Sequence, residues 1–212
     1  MTQKASGNRS FRQKPMVLQG DYHADPVLEL KAVDMEIMHL PERLWTQRMA
    51  DLFNDPKLYG VIKRFVEGLP GTMRPVNDEQ PSIFTFFGSL NSMAEAGAGI
   101  MLKAARSHRF KTLYLDVARI SDYWRTKTLT ADEDQTFEER AYETDLLFLS
   151  GLGSESQKSF VQDVIFSLLK HRQMERLVTV ATTTLSPKEL TNFYRGGVFD
   201  LLNLSAVIVR CE

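Results

Sequence analysis

The sequence contains almost no cysteine and no long apolar run. Its single cysteine, Cys211, cannot form a disulfide within the chain and cannot build a cysteine-rich zinc site. No apolar stretch reaches the roughly 18 residues that a membrane span requires, and the first residues lack the apolar segment of a secretory signal. We therefore predict a cytoplasmic protein that does not cross a membrane.

An excess of one charge sign is also missing. The 212 residues include 26 Lys and Arg and 27 Asp and Glu, so the formal net charge is −1. This balance does not indicate a nucleic-acid-binding protein, although a neutral total can hide a local basic face. The 43% of hydrophobic residues predict a globular chain, and the length suits one domain with a single core.

Groups for metal binding or nucleophilic catalysis are sparse. The sequence has four histidines, which are His23, His39, His108 and His171. They show no spacing of four residues from each other and have no cysteine partner, so no metal site is predicted. Ser150 precedes a glycine, but the G-x-S-x-G motif of serine hydrolases requires glycine at the position of Phe148. A hydrolase is therefore not predicted either.

The N-terminal part differs from the rest in composition. Residues 1–20 contain no acidic residue and four basic ones, which are Lys4, Arg9, Arg12 and Lys14. They predict a flexible basic tail, either a solvated terminus or an arm that docks on a partner or on phosphates. Apolar residues at helical spacing on both sides of Pro56 predict two short amphipathic helices within residues 21–67. Three prolines and two glycines then predict a loop over residues 68–81.

Residues 82–212 alternate apolar, β-prone runs with helical patterns. The predicted strands are residues 83–87, 112–117, 145–149, 177–182 and 206–210. Helices are predicted at residues 90–107, 120–125 and 155–175, and another begins with Ser186 as its N-cap and Pro187 in its first position. Residues 132–139 are predicted to form an acidic linker. The alternation predicts an α/β domain with a mainly parallel sheet and helices on both faces.

The turn after the first predicted strand is the place for a phosphate, because ligands of parallel sheets bind at the carboxyl ends of strands. A phosphate-binding P-loop needs glycines that expose backbone N–H groups, a lysine, and a Ser or Thr hydroxyl for Mg²⁺. The octet at this turn runs from Gly88 to Glu95 and keeps only the first glycine. Met93 stands at the second glycine, Ala94 at the lysine and Glu95 at the hydroxyl. A carboxylate at this place is predicted to repel a nucleotide.

The third predicted strand lacks the acidic residues of a nucleotide site. Its sequence from Asp145 onward has the pattern of a Walker B strand, which ends in acidic residues that hold Mg²⁺. Ser150 and Gly151 stand in these positions. Because Mg²⁺ prefers carboxylate ligands, we predict that it does not bind there.

In their order and spacing, these segments resemble one family. Over residues 57–210 the chain resembles the AAA+ domain of the bacterial DnaC/DnaI-type helicase loaders and of the related IstB-type transposition helpers. The other segments in register are Tyr114–Trp124, the helix that ends at Arg172, and Thr182–Leu190, which is usually T-S-N-L-S-P-x-E-L in the family. The resemblance implies a P-loop NTPase-like fold with the RecA-like core of AAA+ proteins and a short N-terminal helical extension.

The resemblance also assigns further positions that handle nucleotide in the family. Thr184 replaces the sensor Asn, Gly197 replaces the Arg finger, and Leu201 replaces a second Arg. It therefore implies a pseudo-ATPase that is not an enzyme and has no cofactor. Such a protein would contact a replicative helicase, an active loader or a transposase-type protein in DNA replication or mobile-element transactions, in a homo- or hetero-oligomer or alone. The tail and the two N-terminal helices are the predicted docking elements.

Two alternatives stay open on the sequence. One is an unconventional NTPase of the loader or IstB type that binds nucleotide without the lysine. The other is a sequence-independent module for single-stranded DNA, in which a basic cluster tracks the phosphates. The cluster consists of Lys103, Arg106, Arg109 and Lys111. The same residues would equally suit a solvated helix end, where cations complement the helix dipole.

Overall fold

The computed structural model describes residues 30–69, 82–88, 91–126, 135–155, 159–194, 197–204 and 206–211. The predicted basic tail and most of the predicted loop over residues 68–81 lie outside the described residues. The described part of the chain forms one sheet with helices packed on both of its faces.

The sheet consists of five parallel strands. They are β1 (Ile83–Gly88), β2 (Thr112–Asp116), β3 (Leu146–Ser150), β4 (Val178–Thr183) and β5 (Ala206–Cys211). Their order across the sheet is β2-β3-β4-β1-β5. Nearly all side chains of β2, β3 and β4 are buried, because a parallel sheet is covered on both faces. The sheet confirms the predicted α/β fold and its strands.

Helices precede, connect and follow these strands. They are α1 (Ala32–Ile37), α2 (Pro56–Gly68), α3 (Asn91–Ser107), α4 (Ile120–Thr126), α5 (Phe137–Glu143), α6 (Ser159–Met174), α7 (Pro187–Phe193) and α8 (Gly197–Leu204). Buried apolar residues of α1, α2 and α3 form one cluster on one face of the sheet, and those of α4 to α8 form a second cluster on the other. Successive residues of a strand point to opposite faces, so Phe148 joins the first cluster and Leu149 the second.

The N-terminal segment, residues 30–69, shares its core with the sheet. Leu44, Leu58 and Ile62 are buried in the cluster that contains α3. The close approach depends on small residues of α3, since a Cβ on Gly97 would lie only 3.0 Å from Leu58 Cδ1. The apolar faces of the predicted docking helices are therefore used in the core, and only their outer faces are exposed.

Local structure in this segment differs from the prediction at one place. The apolar spacing before Pro56 predicts a helix, but the chain forms two 3₁₀ turns there, Glu42–Leu44 and Met49–Leu52. The helix predicted after Pro56 is confirmed as α2, with Asp55 as its N-cap. Leu44 and Leu52 of these turns are buried in the cluster that contains α3.

Two further elements depart from the sequence-based expectations. The predicted acidic linker over residues 132–139 is wrong at its end, because α5 already begins at Phe137. Thr136 caps this helix by accepting from Glu139 N at 3.2 Å, while Glu139 Oε2 accepts from Thr136 N at 2.8 Å. Helix α8 was not predicted at all. The predicted cap of α7 by Ser186, with Pro187 in the first position, is confirmed.

A buried arginine joins the end of α5, the end of α6 and the start of β4. Arg172 of α6 is fully buried and donates to the carbonyl oxygens of Ala141, Thr144 and Val178 at 2.6–2.9 Å, and to Thr179 Oγ1 at 2.9 Å. Its burial lowers the pKa of the guanidinium to about 9, which leaves it protonated at neutral pH. The side chain therefore ties α5, α6 and β4 together through polar groups that have no access to water.

Candidate functional site

A polar network lies at the carboxyl end of β3. Glu95, in the second turn of α3, accepts a hydrogen bond from Ser150 Oγ at 3.0 Å through one carboxylate oxygen. Its other oxygen accepts from Arg43 Nη2 at 2.8 Å. Glu95 is 14% exposed and Arg43 is 62% exposed, so the carboxylate is largely buried and the guanidinium faces water.

Tyr114 of β2 extends this network behind Ser150. The Tyr114 phenol lies beside the Ser150 side chain, and burial raises the pKa of this phenol. The charges of Glu95 and Asp116 also raise this pKa, while Ser150 and Arg43 lower it. We call Arg43, Glu95, Ser150 and Tyr114 the Glu95 network.

The backbone that carries Arg43 is held in place by Lys103. This lysine is fully buried, and Nζ lies 3.2, 3.1 and 2.6 Å from the carbonyl oxygens of Leu44, Trp45 and Gln47. A buried ammonium group needs such acceptors, because an unpaired charge in the core is very costly. The prediction that Lys103 contacts nucleic acid is therefore wrong.

The predicted P-loop positions occupy the end of β1 and the start of α3. Gly88 is the last residue of β1 and is half-buried, and α3 begins at Asn91, so only two residues separate strand and helix. A P-loop places four residues between its two glycines, and here the second glycine position, Met93, already lies inside α3. Ala94, at the predicted lysine position, is 2% exposed and belongs to the core cluster below α3, against which Met93 also packs.

The predicted Walker B positions are tied to the end of β4. Gly151 has a φ of 78°, and its N–H donates to Thr182 Oγ1 at 3.1 Å. The next amide, Leu152 N, donates to the Thr182 carbonyl oxygen at 2.7 Å. Thr184, at the predicted sensor position, follows this strand and is exposed. Ser150 contacts Glu95. Among the described residues, no hydrogen bond joins Thr184 to either of these two side chains.

Sequence reasoning missed a buried carboxyl group close by. Glu155 is 5% exposed, accepts from Gly153 N at 2.8 Å, and is hydrogen-bonded by the Tyr194 hydroxyl. Burial raises the pKa of Glu155, and these hydrogen bonds partly offset the effect. Burial and the Glu155 charge likewise raise the pKa of Tyr194. The two glycines before Glu155 were the available signal, because they mark a tight turn that returns the chain into the core.

The predicted finger position does not face the Glu95 network. Gly197 is the first residue of α8, and a Cβ there would lie 3.1 Å from the Phe166 ring of α6. Its surroundings are thus α6 of the same chain. The preceding residues, 195–196, lie outside the described residues.

The remaining basic residues lie at the opposite edge of the sheet. Helix α3 runs from the carboxyl end of β1 to the amino end of β2, so its last turn is far from Glu95. Arg106 pairs there with Asp34 of α1, with Nε 3.5 Å from Oδ1. Arg109 and Lys111 are exposed beyond the helix end. Contact of these three residues with nucleic acid stays a prediction.

Other candidate sites are few in the described part of the chain. The His, Cys, Asp and Glu side chains described form no group of three or more that could hold a metal ion. A cavity of about 380 Å³ on α5 is lined by Thr136, Glu138, Glu139, Tyr142 and Glu143. It contains none of the predicted nucleotide positions. Of the described helices, none is both long and apolar enough to span a membrane.

Known proteins are similar to this chain in fold. No protein-family model matches the sequence, and no curated protein matches it either. A crystal structure of the DnaC helicase loader matches with a TM-score of 0.63 and 17% identity, over 81% of this chain and 100% of that chain. The DnaI structure matches with a TM-score of 0.60 and 14% identity, over 82% and 92%. Domain III of the replication initiation protein DnaA from Thermotoga maritima gives 0.55 and 13%, over 74% and 63%.

Proposed function

Since the chain has the AAA+ fold of the DnaC/DnaI-type helicase loaders, we propose that it uses this fold as a scaffold in DNA replication or mobile-element transactions. It acts by contact with a protein partner and does not hydrolyse nucleotide. The observation that supports the proposal is the Glu95 network, in which a carboxylate joined to Arg43 and Ser150 stands where a nucleotide would need cations.

The negative charge of Glu95 opposes nucleotide binding. Phosphoryl transfer depends on positioning and on neutralising the phosphate charges by lysine and Mg²⁺. Here Ala94 takes the lysine position in the core, and Glu95 follows it. Two unit charges at 4 Å interact by about 4 kcal/mol at the effective dielectric of a protein surface, so a phosphate that displaces Arg43 from Glu95 meets a repulsion of that order per charge.

The lack of metal ligands points the same way. Ser150 offers a neutral hydroxyl at the end of β3, and that hydroxyl already donates to Glu95. Gly151 has no side chain, and its amide is used by Thr182. Mg²⁺ usually enters such sites through one or two carboxylates and the phosphates. Among the described residues, Glu95 is the carboxylate that contacts Ser150, and its pairing with Arg43 leads us to propose that Arg43 and not Mg²⁺ neutralises it.

The proposed partners are a replicative helicase, an active loader or a transposase-type protein. The structures with this fold include a helicase loader and a replication initiator, which is why these classes are proposed. The N-terminal segment is the proposed contact, and it exposes two large apolar side chains, Val33 at 53% and Phe53 at 44%. Helix α6 exposes two more, Phe160 and Met174. Single-stranded DNA is not proposed as the main partner, since Lys103 is buried and Arg106 is paired with Asp34.

Equilibrium binding of labelled ATP with Mg²⁺ tests the missing activity. We expect no saturable binding at micromolar concentrations, with an active helicase loader measured in parallel as the positive control. Micromolar affinity would contradict the proposal and support an unconventional NTPase.

Affinity purification from the native host tests the partner class. We expect a helicase, a loader or a transposase-type protein to co-purify, and the purified pair to bind directly. The Phe53→Ser variant should lose most of this binding, whereas Lys57→Ser, also exposed on the same segment, should keep it. Equal binding by both variants would contradict the assigned contact surface.

A further inference from the structure

The Glu95 network reverses the charge expected of a phosphate site. Its acceptor is a carboxylate that is 14% exposed and accepts a hydrogen bond from Ser150. The charge of Asp116, the last residue of β2, also acts on the Tyr114 hydroxyl and adds negative potential nearby. The strand ends therefore present a pre-oriented acceptor for a cationic group.

The present occupant of this acceptor is held loosely. Arg43 contacts Glu95 through Nη2, and its side chain is 62% exposed. Exposed ion pairs are weak in water and are screened by salt. The backbone around Arg43 is different, because Lys103 holds the carbonyl groups of Leu44 and Trp45. The side chain can thus leave Glu95 while the backbone stays in place.

From these contacts we infer that Glu95, held by Ser150, forms a binding site for a guanidinium group. Arg43 occupies the site in the free chain, and an arginine of a protein partner takes its place in the complex. Arginine fits better than lysine, since its guanidinium presents several N–H donors in a fixed plane, whereas an ammonium group acts as a point charge. The inference rests on the proposed function, because it makes this site a contact for a partner and not for nucleotide.

Carbodiimide labelling of carboxylates, read by mass spectrometry, tests this site without knowledge of the partner. In the free protein Glu95 should react slowly, and Arg43→Ala should raise its rate roughly two- to fivefold, the range that the energy of an exposed ion pair allows. N-Acetyl-L-argininamide, whose blocked α-amine cannot couple to the activated carboxyl group, should slow the reaction of Glu95 in the Arg43→Ala variant. N-Acetyl-L-citrullinamide, its neutral isostere, should not.

Two internal controls separate local from general effects. Arg48→Ala removes an exposed arginine of the same segment, and it should leave the labelling of Glu95 unchanged. Glu67, which is 62% exposed and paired with Lys63, provides a reference rate in the same digest. Arg43 and Arg48 are both exposed, so both variants are expected to fold.

The outcomes distinguish this inference from the proposed function. Equal labelling of Glu95 in the wild type and Arg43→Ala would show that Arg43 does not cover the carboxylate. Equal effects of the acetylated argininamide and citrullinamide would show that the open site does not select a cation. Either result overturns the inference and leaves the expectation of no ATP binding unchanged. ATP binding would overturn the proposed function without changing these labelling rates.

Discussion

Ser150 and Glu95 are 55 residues apart in the sequence, yet the serine hydroxyl donates to the carboxylate at 3.0 Å. The bond joins the end of β3 directly to the second turn of α3. In a nucleotide site these two positions would be bridged by Mg²⁺ and phosphate oxygens. The direct contact leaves little space between them, which is why the strand ends act as a protein surface in the function proposed above.

Lys103 is expected to contribute strongly to stability. Replacement by Met keeps the apolar stem but leaves the carbonyl groups of Leu44, Trp45 and Gln47 without their buried donor. Each unsatisfied buried group costs about 1–3 kcal/mol, so Lys103→Met should lower the free energy of unfolding by at least about 2 kcal/mol. Urea unfolding measures this, with the exposed Lys57→Met as the control, which should change little. Equal stability of both variants would contradict the role of Lys103.

Arg172 should be still less tolerant of substitution. Arg172→Met leaves three carbonyl groups and the Thr179 hydroxyl without a donor in the core. We expect a loss of more than about 3 kcal/mol in the free energy of unfolding. Arg172→Lys retains a charge but cannot reproduce the fork, so thermal unfolding should place it between wild type and Arg172→Met. A wild-type melting temperature for Arg172→Lys would show that the fork is not needed.

Two glycines should respond to alanine with opposite signs. Gly153 has a φ of 92°, and a Cβ there would overlap the Leu185 side chain, so Gly153→Ala should destabilise by more than about 1 kcal/mol. Gly60 lies inside α2 with open space around its Cβ position, so Gly60→Ala should stabilise by about 0.5–1 kcal/mol. Chemical denaturation of both variants checks the signs, and a loss of stability in Gly60→Ala would count against the assigned position of that residue.

The stability of the protein should depend on pH through Glu155. Burial raises its pKa above the ordinary value of 4.5, so between these two pKa values the folded chain binds more protons than the unfolded chain. The free energy of unfolding therefore falls as the pH rises through this window. Glu155→Gln should remove this fall, because glutamine does not titrate. Its amide oxygen can still accept from Gly153 N, so the local structure should be retained.

Melting temperatures measured from about pH 4 to pH 8 test this dependence. Glu189→Gln is the matched control, since hydrogen bonds from Ser186 lower the pKa of Glu189. Its contribution is present above the ordinary pKa and is lost as the pH falls, which is the opposite sign. An unchanged pH profile in Glu155→Gln would show that Glu155 is not the source of the slope.

The sheet was predictable because buried parallel strands are continuous apolar runs in the sequence, as in Leu146–Leu149. The cap of α7 was predictable because Ser186, Pro187 and Glu189 act within one turn. These signals are local. The prediction of the fold needed no contact between distant residues.

The candidate site was predictable only in part. Glu95 and Ser150 were identified from motif positions, but Arg43 carries no signal, because its partner is 52 residues away and exposed arginines are common. Lys103 was misassigned as part of a basic cluster. It follows Gly99 by four residues on the buried face of α3, and this helical spacing was the signal for a core position.

Lys103 recognises backbone oxygens and not side chains. Substitutions at Trp45 or Gln47 therefore leave its acceptors intact, whereas the Arg43–Glu95 contact depends on the identity of both side chains. Among relatives of this chain we expect the lysine to be invariant while the residues it holds diverge. Positions 43 and 95 should instead covary, so that lineages losing one charge also lose the other.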